Sequence, residues 1–169
     1  AGAPGGFRMC TAAPPAGPFV PEMALMGEPN SRDLAFDGMG RVATGDTHIV
    51  TFNAAGMRMQ LTPDDMPVYA YGMRYLPDGA LAVGSTRAGV NGAVRVVPST
   101  GSPVETLAMN LGTGSFIATH PNGSIYVSDS TNQTVLRFSR MGARSTAFML
   151  PMGTLSPTGL AISPDGTRL

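Results

Sequence analysis

Side chains able to do chemistry are few in this sequence and widely spread. His48, His120 and Cys10 are its only imidazoles and thiol. No G-x-S-x-G elbow, H-E-x-x-H pair, Walker loop or paired C-x-x-C occurs. A lone cysteine also excludes an internal disulfide. Both histidines fall at the ends of strand-like segments, which assigns them structural roles. Twelve methionines, including Met57-x-Met59, offer thioethers that suit Cu(I), but scattered methionine predicts adaptable core packing. Gly38-x-Gly40-x-x-Ala43 spells the dinucleotide fingerprint. That motif needs a helix after it, so that the helix N-terminus meets the pyrophosphate, and here extended sequence flanks it on both sides. Asp37, Asp78 and Asp165 stand beside turn glycines, and Asp46 and Asp129 share one register after a second strand. Carboxylates so placed cap turns by accepting local backbone N–H groups. No residue is assigned a catalytic role.

The elements that must position any site are written as a repeat. DLAFDGMG ends at Gly40, GMRYLPDG at Gly79, FIATHPNG at Gly123 and GLAISPDG at Gly166, so the turn glycines recur at intervals of 39, 44 and 43 residues. The second residue of each copy is apolar (Leu34, Met73, Ile117, Leu160) and the fourth is apolar or β-branched (Phe36, Tyr75, Thr119, Ile162). A period of two marks a half-buried strand. At the third copy Asn122-Gly123 predicts a tight primed hairpin turn, with positive φ at both central residues. Further strands are expected at 49–52 and 57–61, at 93–97 and 104–109, and at 135–138 and 146–150. Repeats of about 40–45 residues with several short strands each are the signature of a β-propeller. The fold class is therefore all-β, an incomplete propeller of four-stranded antiparallel blades.

Composition agrees. The 169 residues leave room for one domain, and 22 glycines with 15 prolines suit many short strands joined by turns. Eleven acidic and eleven basic residues give no net charge, so nothing points to nucleic acid or an anionic membrane. Every basic residue is arginine, which reads as coding bias. No apolar run approaches the roughly 18–20 residues of a spanning helix. Residues 1–30 form an Ala/Gly/Pro-rich lead-in, flexible over 1–18, with an extra strand over 19–26 that completes a sheet elsewhere. Residues 31–169 hold three complete blade units and the start of a fourth. A closed ring needs at least four, so the remaining blades are expected to lie outside this chain, in a larger protein.

The third copy, GSIYVSDSTNQTVLRF from Gly123 to Phe138, resembles an NHL repeat, and RDLAFDGMGRV from Arg32 to Val42 resembles the opening of one. The fourth copy, GLAISPDGTRL, is similar to blades of the senescence-marker-protein/gluconolactonase family. Both resemblances imply a six-bladed propeller. They also imply a range of activities, from protein-binding platforms to lactone hydrolases and lyases. The gluconolactonase resemblance implies a divalent cation, usually calcium, in the central funnel; otherwise no cofactor is evident. Thr158 stands where that family has a metal-binding Asn, and Glu28 follows a glycine as that family's glutamate does.

Functional positions of a propeller cluster where the inner strands begin. In this register they are Arg32, Asp33, Tyr71, Arg74 (further along its strand), Ser115 and Thr158. Arg, Tyr and Asp converging there either hold an anionic or polar ligand, or satisfy one another around water. The leading expectation is an NHL-type scaffold for a small polar ligand or partner protein. The alternative is a calcium-dependent lactonase or esterase, or an NHL-like lyase. The propeller class and the missing lysines favour a bacterial extracytoplasmic protein.

Overall fold

The computed structural model describes residues 6–11, 20–26, 31–64, 68–87, 90–101, 103–112, 116–151 and 159–169. Three four-stranded antiparallel sheets follow one another, each with its strands adjacent in chain order. The first holds β3 (Asp33–Phe36), β4 (Val42–Gly45), β5 (Ile49–Phe52) and β6 (Arg58–Gln60). The second holds β7 (Ala70–Tyr75), β8 (Leu81–Arg87), β9 (Val90–Val97) and β10 (Glu105–Leu111). The third holds β11 (Ile117–Thr119), β12 (Ile125–Asp129), β13 (Thr134–Phe138) and β14 (Arg144–Met149). Inner strands of successive sheets lie side by side, β3 beside β7 and β7 beside β11. This is the blade arrangement that the repeat period implied.

The lead-in departs from expectation. A strand β1 (Gly6–Thr11) pairs antiparallel with β2 (Val20–Met26), with a register shift between Met9 and Cys10. The strand expected over 19–26 is present, but its partner is local. The Phe-Arg-Met-Cys-Thr run of β1 is extended and β-compatible, and the surrounding Ala, Gly and Pro hid it from a reading by composition. Met26 lies 14 residues before Gly40, within the spread from 12 (Leu111 to Gly123) to 19 (Gln60 to Gly79) that separates an outermost strand from the next turn glycine. In spacing along the chain the β1–β2 hairpin matches the outer strands of a blade, and it forms a two-stranded sheet of its own.

The hairpin turns also differ from expectation. Gly79, Gly123 and Gly166 donate to the carbonyls three residues back, on Leu76, His120 and Ser163, at 2.9, 2.8 and 2.8 Å. Gly123 has φ +84°, and Asn122 is not among the residues with positive φ. The turn is therefore a three-residue type I turn closed by a left-handed glycine, rather than a primed two-residue one. The reason is Pro121, whose ring sets φ near −65° and suits only the first central position of a type I turn. Pro77 and Pro164 do the same in their copies. Asp78, Asn122 and Asp165 accept the N–H two residues ahead at 3.0, 3.0 and 3.1 Å, so the expected capping roles hold. The fourth copy keeps the turn, and no strand is formed over 159–169.

The core lies between blades. Ala35, Ala43, Ile49 and Leu61 of the first pack on Val68, Ala70, Met73, Leu81, Val83 and Val97 of the second. On the opposite face Leu76, Ala82, Val94, Val96 and Leu111 meet Ile117, Ile125, Val127, Leu136 and Phe138 of the third. Alternate residues of β8 thus serve opposite interfaces, which is why Leu81–Ser85 is buried throughout. Burial fades outward, and every residue of β6 and β14 is exposed. The methionines do not follow the core-packing expectation as a group. Met73 is fully buried, whereas Met39, Met57, Met59, Met109, Met141 and Met149 are exposed, because they sit in turns and on outer strands.

Candidate functional site

Arg32 precedes β3 and Asp33 opens it, at the end where the sequence places the mouth, and β7 runs beside it. Asp33 Oδ1 accepts from the Leu34 N–H at 2.9 Å, and its Oδ2 accepts from the Met73 N–H at 2.8 Å and from Arg74 Nη1 at 2.7 Å. The carboxylate therefore ties consecutive inner strands together. Half-exposed, the pair is screened by water, and it contributes mainly by fixing register. Arg32 stacks its guanidinium over the Tyr71 ring, 4.4 Å from the centroid. No acidic partner of Arg32 occurs among the described residues, so its donors face solvent beside an aromatic surface. Four of the six mouth residues thus converge as two pairs, Arg32 with Tyr71 and Asp33 with Arg74. Ser115 and Thr158 lie outside the described residues, as does Glu28.

Among the described residues no three His, Cys, Asp or Glu side chains converge, and calcium takes six to eight oxygens. The one mouth carboxylate, Asp33, is already engaged by two N–H groups and an arginine.

Both histidines bond backbone groups. His120 Nδ1 accepts the Asn122 N–H at 3.0 Å, which leaves Nε2–H to donate to the Gly166 carbonyl at 3.1 Å. His120 thereby locks the turns of the third and fourth copies together. His48 Nε2 lies 3.4 Å from the Asp64 carbonyl. Asp129 is fully buried and caps its turn, accepting from the Thr131, Asn132 and Gly112 N–H groups at 3.1, 3.3 and 3.2 Å.

At the opposite end of the inner strands, the fourth residues of all four copies (Phe36, Tyr75, Thr119 and Ile162) line one open cleft of about 290 Å³. Phe36 is 63% exposed there, while its neighbour Ala35 is buried between blades. The inner strand thus turns its fourth side chain toward a shared axis. The turn side also carries the charge pairs that close the blade seams. Arg140 of the third blade meets Asp78 at 2.9 Å and Glu105 at 3.0 Å, both of the second. Burial pushes the Asp78 carboxyl up, but hydrogen bonds from Arg140 and the Ala80 N–H outweigh this and hold it below the usual range.

Radial four-stranded sheets with a core between them decide the architecture. It is a β-propeller arc. No protein-family model and no curated protein sequence matches the chain. Solved structures do. The chain is similar to a virginiamycin B lyase from Staphylococcus aureus at 17% identity and TM-score 0.63, covering 79% of this chain and 45% of that one. It is similar to a chain of a nidogen/laminin complex at 16% identity and TM-score 0.69, covering 88% and 57%. A gluconolactonase from Xanthomonas campestris matches at 20% identity and TM-score 0.63, covering 84% and 56%. The chain spans about half the length of these proteins.

Proposed function

We propose that this arc belongs to a binding scaffold whose mouth receives an acidic group of a ligand or partner protein. The observation that carries the reading is the contrast between two neighbouring arginines. Arg74 is neutralised by Asp33 at 2.7 Å, whereas Arg32 is exposed, held flat on Tyr71, and has no acidic partner among the described residues. A pre-oriented guanidinium forfeits little side-chain entropy on meeting a carboxylate or phosphate, and the stacked aromatic adds apolar contact. The test is fluorescence anisotropy of a labelled hexaglutamate peptide on the whole protein at low salt. Binding should fall roughly tenfold in Arg32→Ala while the melting temperature holds. Binding that ignores this change would remove the mouth from the proposal.

The fold likeness to a gluconolactonase and a lyase supports a second reading, a calcium-dependent lactonase or esterase, or a lyase. Hydrolysis of a lactone and aryl-ester panel by the whole protein, lost with chelator and restored by calcium, would put the hydrolase first.

A further inference from the structure

A second site lies away from the mouth, in the seam between the first and second blades on the turn side. Here a cleft of about 270 Å³ is walled by Phe52, Met57, Met59 and Leu61 on its apolar side and by Arg41, Arg58 and Tyr75 on its polar side. Arg41 is built in rather than loosely draped. Its Nε donates to Asp37 Oδ2 at 2.6 Å, and its guanidinium carbon sits 5.2 Å from the Tyr75 ring centroid. Gly79 leaves the space it needs, since a Cβ there would press on Nη2 at 3.2 Å. The Nη1 and Nη2 groups, the two-nitrogen edge that suits a carboxylate, carry no hydrogen bond among the described residues.

Tyr75 supplies the wall behind this edge. It lines the cleft, and its hydroxyl is buried beyond a ligand's reach. What it contributes is the ring, which backs the Arg41 guanidinium and fixes its orientation.

We propose that this inter-blade cleft binds a small aliphatic or aryl carboxylate, its carboxylate on the Nη1/Nη2 edge of Arg41 and its chain against Phe52, Met57 and Met59. Asp37 already balances part of the Arg41 charge, and the remaining two-nitrogen edge matches a planar monoanion better than a dianion. The exposed thioethers of Met57 and Met59 offer an adaptable apolar rim for the tail.

The probe is octanoate, titrated into the whole protein by calorimetry, with 1-octanol and acetate as controls. Octanoate should bind at least about tenfold more tightly than either control, because each lacks one half of the recognition. Arg41→Lys, which keeps the charge and loses the two-nitrogen edge, should weaken octanoate about fivefold to tenfold. Met57→Glu, at an exposed position, should abolish octanoate binding without unfolding the protein. Octanol binding as tightly as octanoate would overturn the proposal. So would affinity unchanged in Arg41→Lys or Met57→Glu, or the absence of octanoate binding at millimolar concentration.

Discussion

Arg74 and Asp33 are 41 residues apart in sequence and 2.7 Å apart in space, joining the inner strands of consecutive blades. The bond is asymmetric in what each partner holds. Asp33 also accepts the Leu34 and Met73 N–H groups, so its loss leaves two backbone donors unpaired, whereas Arg74 Nη1 keeps its bond to the Met73 carbonyl. Urea unfolding should show Asp33→Ala costing about 1–3 kcal/mol and Arg74→Ala no more than about 1 kcal/mol. Equal losses would mean that the ion pair, rather than the backbone bonds, holds the register.

Phe138 is fully buried between the second and third blades, while Met141, three residues on, is 92% exposed in a turn. Truncating Phe138 to Ala removes a ring from a packed seam and should cost about 3–5 kcal/mol. Met141→Ala should change stability by less than about 0.5 kcal/mol. Thermal melts of the two variants check both values. A small loss at Phe138 would mean that the blades can close the void.

Gly101 and Gly123 have nearly the same backbone, φ +83° and +84°, and different surroundings. At Gly123 a Cβ meets open space, so Gly123→Ala should cost only the left-handed penalty of about 1–2 kcal/mol. At Gly101 a Cβ would overlap the Leu61 carbonyl of the first blade. Gly101→Ala should therefore cost about 1–3 kcal/mol more, through overpacking of the seam. Parallel denaturation curves decide it, and indistinguishable midpoints would refute the close approach.

Acid should weaken the seams. Burial raises the Asp37 carboxyl, but hydrogen bonds from Arg41, side chain and backbone, bring it below the usual value of 3.8. Asp78 is lowered in the same way through Arg140. A carboxylate with a depressed pKa in the folded state stabilises above its unfolded value, and that stability is lost as pH falls through the folded value. The melting temperature should hold from pH 7 to about 5 and drop below about 4. In the Asp78→Asn variant the drop should be shallower. An identical acid limb in the variant would show that the Arg140 contact adds nothing.

The sequence by itself determined what is local. Prolines two residues before three of the turn glycines, with Asp or Asn between, are signals carried within eight residues, and their return every 39–44 residues specified blades, turns and capping carboxylates. Even there Pro121 mattered more than the Asn-Gly pair beside it, because a locked φ overrides a preference. Alternation marked β3 as a strand with its second and fourth residues on the half-buried face, and at Phe36 the structure reverses that. Ala35 is buried and Phe36 exposed because the neighbouring blade closes over one face, while the other opens on a shared axis. The mouth residues were legible as a register, but their pairing was not. Whether Asp33 meets Arg74 depends on the offset between β3 and β7, inner strands of two blades whose Ala35 and Met73 share one buried cluster. The Arg41–Tyr75 cleft left no signal in the sequence. Its two residues belong to different repeats, and only the stacking of blades around an axis brings them within 5.2 Å.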